Sequence, residues 1–257
     1  MILNPRDFFL LKIAALLHDP PDKAWHVTGR LREGHEKVRD YVVKQLFGEP
    51  FVSGWFKRGD PGNRVNKADQ LESAIDRWLV NVVRSATEEL PPSKFGVILV
   101  NPLSGESAYP SKPEEEVPER WVNGLKGAIE ALRGLKLSEP EFWRYCYHML
   151  FALIEASYYY HYPGCAGPAD TRAPHHTIFD HLYATAQIAN WFSGGLEPKG
   201  FLVRLDFAGV QSFISASRKL RDLWFSSWFV SAATWYLVEE VVEVARRIYD
   251  EGCLLYT

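Results

Sequence analysis

The chain has 257 residues, 47% of them hydrophobic and 24% charged, which is the composition of an ordinary soluble globular protein with room for one large domain or two modest ones. A net charge of −3 and a pI near 6.3 exclude a global basic field for nucleic acid, so any such binding needs a local patch. The cysteines, Cys146, Cys165 and Cys253, form no CxxC pair; this excludes a thiolate zinc site or a disulfide framework and fits a reducing cytoplasm.

The predicted elements, in chain order, are mostly helical. Residues 7–17 read as a buried helix stopped by Pro20 and Pro21. A second helix is expected over 33–47, with Val38, Tyr41, Val42 and Leu46 on one face. FKRGDPGNRVNK reads as a turn-rich loop, and ADQLESAIDRWLVNVVRSATEEL as an amphipathic helix. KFGVILVNPLSG suggests a short strand and turn, and SKPEEEVPE a solvated loop. Helices follow over 121–135 and 141–157, then an aromatic-rich loop from Tyr158 to Pro174, then a helix over 175–192. The tyrosines of that loop either stack on DNA bases or pack beneath it.

SGGLEPKG is a plausible boundary. Beyond it FLVRLDFAGVQSFI reads as a strand and turn, residues 221–252 as a long helix, and CLLYT as the start of another strand. One helix between two strands does not complete a sheet, so the chain reads as the first part of a larger protein. The N-terminus lacks a signal peptide, and no apolar run is long enough to span a bilayer.

The stretch LLHDPPDK sets His18 and Asp19 at the end of an apolar run, with Lys23 just beyond. This resembles the core motif of the HD phosphohydrolase superfamily, with one extra residue before the lysine. The resemblance implies a later aspartate, matched by Asp69 in NKADQL, and an opening helix whose histidine precedes close-packed alanines, matched by His181 in DHLYATAQIA. That opening helix comes last here, an order a circular permutation would produce. The implied ligand set is therefore His18, Asp19, Asp69 and His181. His35 stands where dinuclear members keep an extra histidine. His176, four residues before Asp180 on one expected helix face, is either a ligand or a partner of one. Lys23 is the residue expected to hold a phosphate oxygen.

Such a set implies a divalent metal ion (manganese, nickel, magnesium or zinc) as cofactor; the mixed imidazole and carboxylate donors also suit iron better than calcium. It also implies phosphoester hydrolysis by metal-activated water, with His18, Asp19 and Lys23 as the catalytic residues. No P-loop, GxGxxG or Ser-His-Asp order competes.

Three longer signatures, ALLHDPPDKAW, PADTRAPHHTIFDHL and LDFAGVQSFISASRKLRDLWFSSWFVS, resemble the large, polymerase-like subunit of type III CRISPR effector complexes in its Cmr (type III-B) form. The resemblance implies a permuted HD nuclease domain over 1–195 that cuts single-stranded DNA, and the beginning of a ferredoxin-like α+β palm domain over 200–257. It implies other effector subunits, guide RNA and target RNA as partners, no membrane, and a cytoplasmic setting. ATP would serve only the intact family member, which makes cyclic oligoadenylate at a Gly-Gly-Asp-Asp turn; the Gly194–Gly195 pair here is followed by Leu196 and Glu197. Arg218, Lys219 and Arg221 are expected either to contact nucleotide phosphate or a neighbouring subunit, or to form a solvated helix start. The alternatives to a nuclease are a catalytically degenerate HD scaffold for partner subunits and guide RNA, and a nucleotide phosphohydrolase.

Overall fold

The computed structural model describes residues 3–27, 31–57, 59–84, 99–100, 107–108, 113–115, 117–170, 176–201, 203 and 206–248. The chain divides into two compact units, Leu3–Lys199 and Gly200–Thr257. Both are mostly helical.

The first unit is built on α1 (Pro5–Leu16). Asn4 caps it by accepting the Asp7 N–H at 2.9 Å, and Pro5 sits in the first turn, where its missing N–H costs nothing. Every residue from Phe8 to Leu16 is buried. A helix apolar on all sides belongs at the centre of a bundle, and α1 packs against three longer-range partners: α5 (Asp60–Arg84), α7 (Glu139–His161) and α8 (Ile178–Ile188). Between α1 and α5 lie α2 (Lys23–Val27), α3 (His35–Phe47) and α4 (Glu49–Trp55). A two-stranded antiparallel pair, β1 (Leu99–Val100) with β2 (Ser107–Ala108), and α6 (Glu119–Arg133) come between α5 and α7. A 3₁₀ turn, Ala189–Phe192, extends α8.

Several boundaries differ from the sequence expectation. The stretch over 56–67 is mostly not a loop: α5 begins at Asp60. Pro61 falls in its first turn, Arg64 bonds back to Asp60 at 2.7 and 3.2 Å, and a Cβ on Gly62 would lie 2.4 Å from the Lys57 carbonyl oxygen. Turn-forming residues thus serve as a helix start. Helix α7 likewise continues through Tyr158 to His161, because Tyr158 is fully buried, edge-on to Trp121 and Phe179 with ring centroids 5.6 and 5.8 Å away. Tyr162 is buried as well, whereas Tyr160 is exposed. Of the α3 face, Val38, Val42 and Leu46 are buried together with Val43. Tyr41 is exposed, its hydroxyl donating to Glu119 at 3.4 Å. The strand expected over 94–105 is met at Leu99–Val100, the rest of it lying outside the described residues.

Two buried cations hold the 3₁₀ turn. Lys12, on the central helix, donates to the Asn190 side-chain oxygen at 2.9 Å and lies 4.7 Å from the centre of the Tyr147 ring. Arg64 donates to the carbonyls of Phe192 and Ser193 at 3.0 and 2.7 Å. Together they tie the end of α8 to α1 and α5.

In the second unit α9 (Val210–Ser215) and α10 (Leu220–Ile248) are helical. The described residues of the expected first palm strand, Phe201, Val203, Asp206 and Phe207, are irregular, and residues 202, 204 and 205 lie outside the description. A strand acquires its geometry from a neighbour's ladder, and none pairs with these residues among those described. CLLYT also lies outside the described residues. On α10 the aromatic run is exposed, with Trp224 at 69% and Trp228 at 52%. Among the described residues, no helix is long and apolar enough to cross a membrane.

Two outcomes follow from the buried cations. Arg64→Ala leaves two carbonyls without their donor and is expected to lower unfolding free energy by roughly 2–4 kcal/mol, measured by denaturant titration. Burial pushes the Lys12 ammonium from its ordinary value of 10.5 down to about 7. The unfolded chain therefore binds more protons between those values, and stability rises with pH across that interval. Melting temperatures of wild type and Lys12→Met, compared from pH 6 to 10, should show the wild type gaining on the variant as pH increases.

Candidate metal centre

The helix α1 ends at Leu16, and the chain turns so that His18 and Asp19, both buried, point inward. The His18 Nδ1–H donates to the Ala15 carbonyl at 2.7 Å. A carbonyl can only accept, so Nδ1 carries a proton, and Nε2 is the nitrogen turned toward the cluster. Pro20 and Pro21 then force a tight turn that opens α2 at Lys23, with the Lys23 N–H bonded to the Pro20 carbonyl at 2.9 Å. The Lys23 ammonium donates to Asp19 Oδ2. The loop after α7 closes against this turn: Gly167 donates its N–H to the Pro21 carbonyl at 3.2 Å, and a Cβ there would lie 2.6 Å from that of Ala24.

From the far side α8 delivers His181. Thr177 caps that helix, accepting the Asp180 N–H at 3.2 Å while Asp180 Oδ2 accepts the Thr177 N–H at 3.0 Å. One turn into the helix, His181 Nε2 faces His18 Nε2 at 3.0 Å. Asp69 comes from the third turn of α5, its side chain 35% exposed and so on the open side of the cluster.

The distances define one small polyhedron. Asp19 Oδ2 stands 3.3 Å from His18 Nε2 and 3.7 Å from His181 Nε2. Asp69 Oδ1 stands 3.7 Å from His18 Nε2 and 3.5 Å from His181 Nε2. Donors bound tetrahedrally at ~2.1 Å are spaced at about 3.4 Å, and each of these four edges is near that spacing. Two imidazole nitrogens with two carboxylates are a donor set for borderline divalent ions. Among the described residues, the group with every ligand atom within 4.8 Å of the others is His18, Asp69 and His181, with Asp19 beside the two imidazoles but outside that group.

The electrostatics agree with a pocket that favours positive charge. Burial opposes ionisation of His181, yet hydrogen bonds with Asp19, Asp69 and Glu72 outweigh it and raise its pKa to about 11. His18 is also raised, burial being overcome by Asp19 and Asp69. Burial alone would raise the Asp19 and Asp69 carboxyls, but the imidazoles hold both well below the usual carboxylate range.

The other expected site residues fall into place differently. His35 is the first residue of α3, half-buried, and close enough to feel the charges of Asp19 and Lys23, but it is outside the tight cluster. His176 does not share a helix face with Asp180. It precedes the Thr177 cap, and its carbonyl accepts the Ala169 N–H at 3.2 Å, because the capping box starts the helix at Ile178. Asp69 sits inside α5 rather than opening it. Arg218, Lys219 and Arg221 are exposed in the second unit, at the start of α10.

One residue at the cluster has no counterpart in the expected set. Glu72, buried on α5, accepts the His181 Nδ1–H. Its only sequence signal is a spacing of three from Asp69, which sets both on one helix face.

A model of the family described as "CRISPR-associated protein Cmr2, N-terminal" matches residues 202–256. A protein of Saccharolobus solfataricus, "CRISPR system CMR subunit Cmr2", is 34% identical over 93% of this chain and 23% of its own length. A Pyrococcus furiosus protein, "CRISPR system Cmr subunit Cmr2", is 24% identical over 90% of this chain and 29% of its own. The chain thus spans about a quarter of the length of these curated relatives. No solved structure matches the chain significantly. With relatives aligned along nearly all of it and a family model covering its last segment, the chain belongs to the Cmr2 family, as an N-terminal region of its members.

Proposed function

We propose that His18, Asp19, Asp69 and His181 hold a divalent cation, and that the first unit is a circularly permuted HD-type domain hydrolysing single-stranded DNA. The observation that carries this reading is the approach to 3.0 Å of the Nε2 atoms of two histidines 163 residues apart, flanked by both aspartates. The order of the ligands along the chain, with His181 last, supports the permutation.

When bound, the cation supplies Lewis-acid charge to the phosphodiester and acidity to an attacking water. The chain's own groups do the rest. Asp19, buried and ionised, is the carboxylate suited to orient that water, whose proton leaves to solvent. Lys23, partly exposed beside Asp19, presents its ammonium to a phosphate oxygen. Water oxygen bonds to phosphorus as the bond to the leaving sugar oxygen breaks. His35, at the rim, is suited to a second ion.

In this reading the second unit begins the palm domain, and the whole works within an RNA-guided type III effector complex, with the other subunits, guide RNA and target RNA as partners in the cytoplasm. Exposed Arg218, Lys219 and Arg221 then lie on the side offered to nucleic acid or to a neighbouring subunit. A second reading, a degenerate scaffold, is favoured by the close Lys23–Asp19 contact, which occupies a carboxylate oxygen needed for the metal.

Mn²⁺ or Ni²⁺ titration of the full chain with labelled single-stranded and duplex DNA separates the two. The nuclease reading expects stoichiometric metal and metal-dependent cleavage of the single strand, lost at least about 100-fold in His18→Ala with Asp19→Ala. Metal binding absent from the wild type, or cleavage unaltered in the double variant, rejects it.

A further inference from the structure

Helix α5 meets the His181 ring at both of its nitrogens. Asp69 Oδ1 lies 3.5 Å from Nε2, and Glu72, one turn on, accepts the hydrogen bond from Nδ1. Both partners of the second contact are buried, the side chains of His181 and Glu72 being 4% and 7% exposed. His18 is held differently. Its Nδ1–H bonds to a neutral carbonyl three residues earlier on its own chain segment, that of Ala15. One imidazole of the pair is thus braced locally and by a dipole. The other is braced by a full negative charge from 109 residues away.

We infer that Glu72 is a positioning residue of the metal centre, acting through His181 to fix the ring and strengthen its Nε2 as a ligand. This rests on the metal-binding reading above. With a cation in place at Nε2, a carboxylate on the distal Nδ1–H keeps the remaining proton there, aims the lone pair, and makes the imidazole a stronger donor. Burial matters twice. It keeps the carboxylate from turning to solvent, and it lowers the local dielectric so that the charge acts strongly on the ring. The helical spacing makes the device compact, since one turn of α5 supplies a ligand at position 69 and the brace for another ligand at position 72. Moving α8 away from α5 would therefore break two contacts to His181 together.

The alternative is that Glu72 merely ties two helices. Metal affinity and ligand-field spectra tell these roles apart. Full-length wild type, Glu72→Gln and Glu72→Ala are compared by competition of Ni²⁺ and Mn²⁺ with a chelating dye, by the visible absorption of bound Co²⁺, and by melting in excess chelator. Glu72→Gln keeps size and an accepting oxygen but removes the charge. It is expected to bind about 10-fold more weakly, and Glu72→Ala 10- to 100-fold more weakly, with Co²⁺ bands shifted in both and the chelator-treated Glu72→Gln melting near wild type. If wild type binds metal and both variants match it within about twofold with unchanged spectra, Glu72 is a tether and the inference falls while the metal centre stands. If Glu72→Ala does not fold, Glu72→Gln alone decides. A wild type that takes up none of the three ions removes the metal centre, and with it the role given to Glu72.

Discussion

Two imidazoles from widely separated parts of the chain meet nitrogen to nitrogen inside an apolar bundle, and nearly every feature of the first unit bears on how that is tolerated. Buried carboxylates and imidazoles are each unfavourable alone. Together they compensate: Asp19 and Asp69 stay ionised because His18 and His181 are beside them, and the imidazoles are raised because of the acids. The result is a compact acceptor of positive charge with donor spacings near those of a coordination sphere.

The precision of that meeting depends on supports outside it. Helix α1 is apolar all round, so its axial position is set by burial, and its one interior cation, Lys12, reaches out to fix Asn190. Arg64 does the same from α5 by gripping the carbonyls of Phe192 and Ser193. The segment just beyond α8 is therefore fastened both to α1, which leads into His18 and Asp19, and to α5, which carries Asp69. The Pro20–Pro21 turn, closed by Gly167, fixes where Lys23 starts its helix. The geometry of the cluster is thus set by anchors outside it.

The second unit has another character. Helix α10 exposes Trp224, Phe225, Trp228, Phe229 and Trp235, and a helix with so much exposed aromatic surface is built to be covered. Its sequence is also where the Cmr2 family model matches. The first unit carries the buried polar cluster; the second carries surface chemistry suited to association.

Much was legible in the residues themselves. An apolar run ended by two prolines and amphipathic periodicity in ADQLESAI are local signals, and local signals set helix identity. The pairing of His18 with Asp19, and the candidacy of Asp69 and His181, came from motif likeness rather than periodicity. What only the tertiary structure decided are relations between distant segments. Pro61 and Gly62 look like a loop until Arg64 and the Lys57 carbonyl show them to be a helix start. Tyr158 looks like a loop aromatic until Trp121 and Phe179 enclose it. Glu72 carried no signal beyond its spacing, since its meaning lies in an imidazole 109 residues away. Helix propensity and termination are encoded within a few neighbouring residues. Which side chains share a buried space depends on how helices pack, and packing is a property of the whole chain.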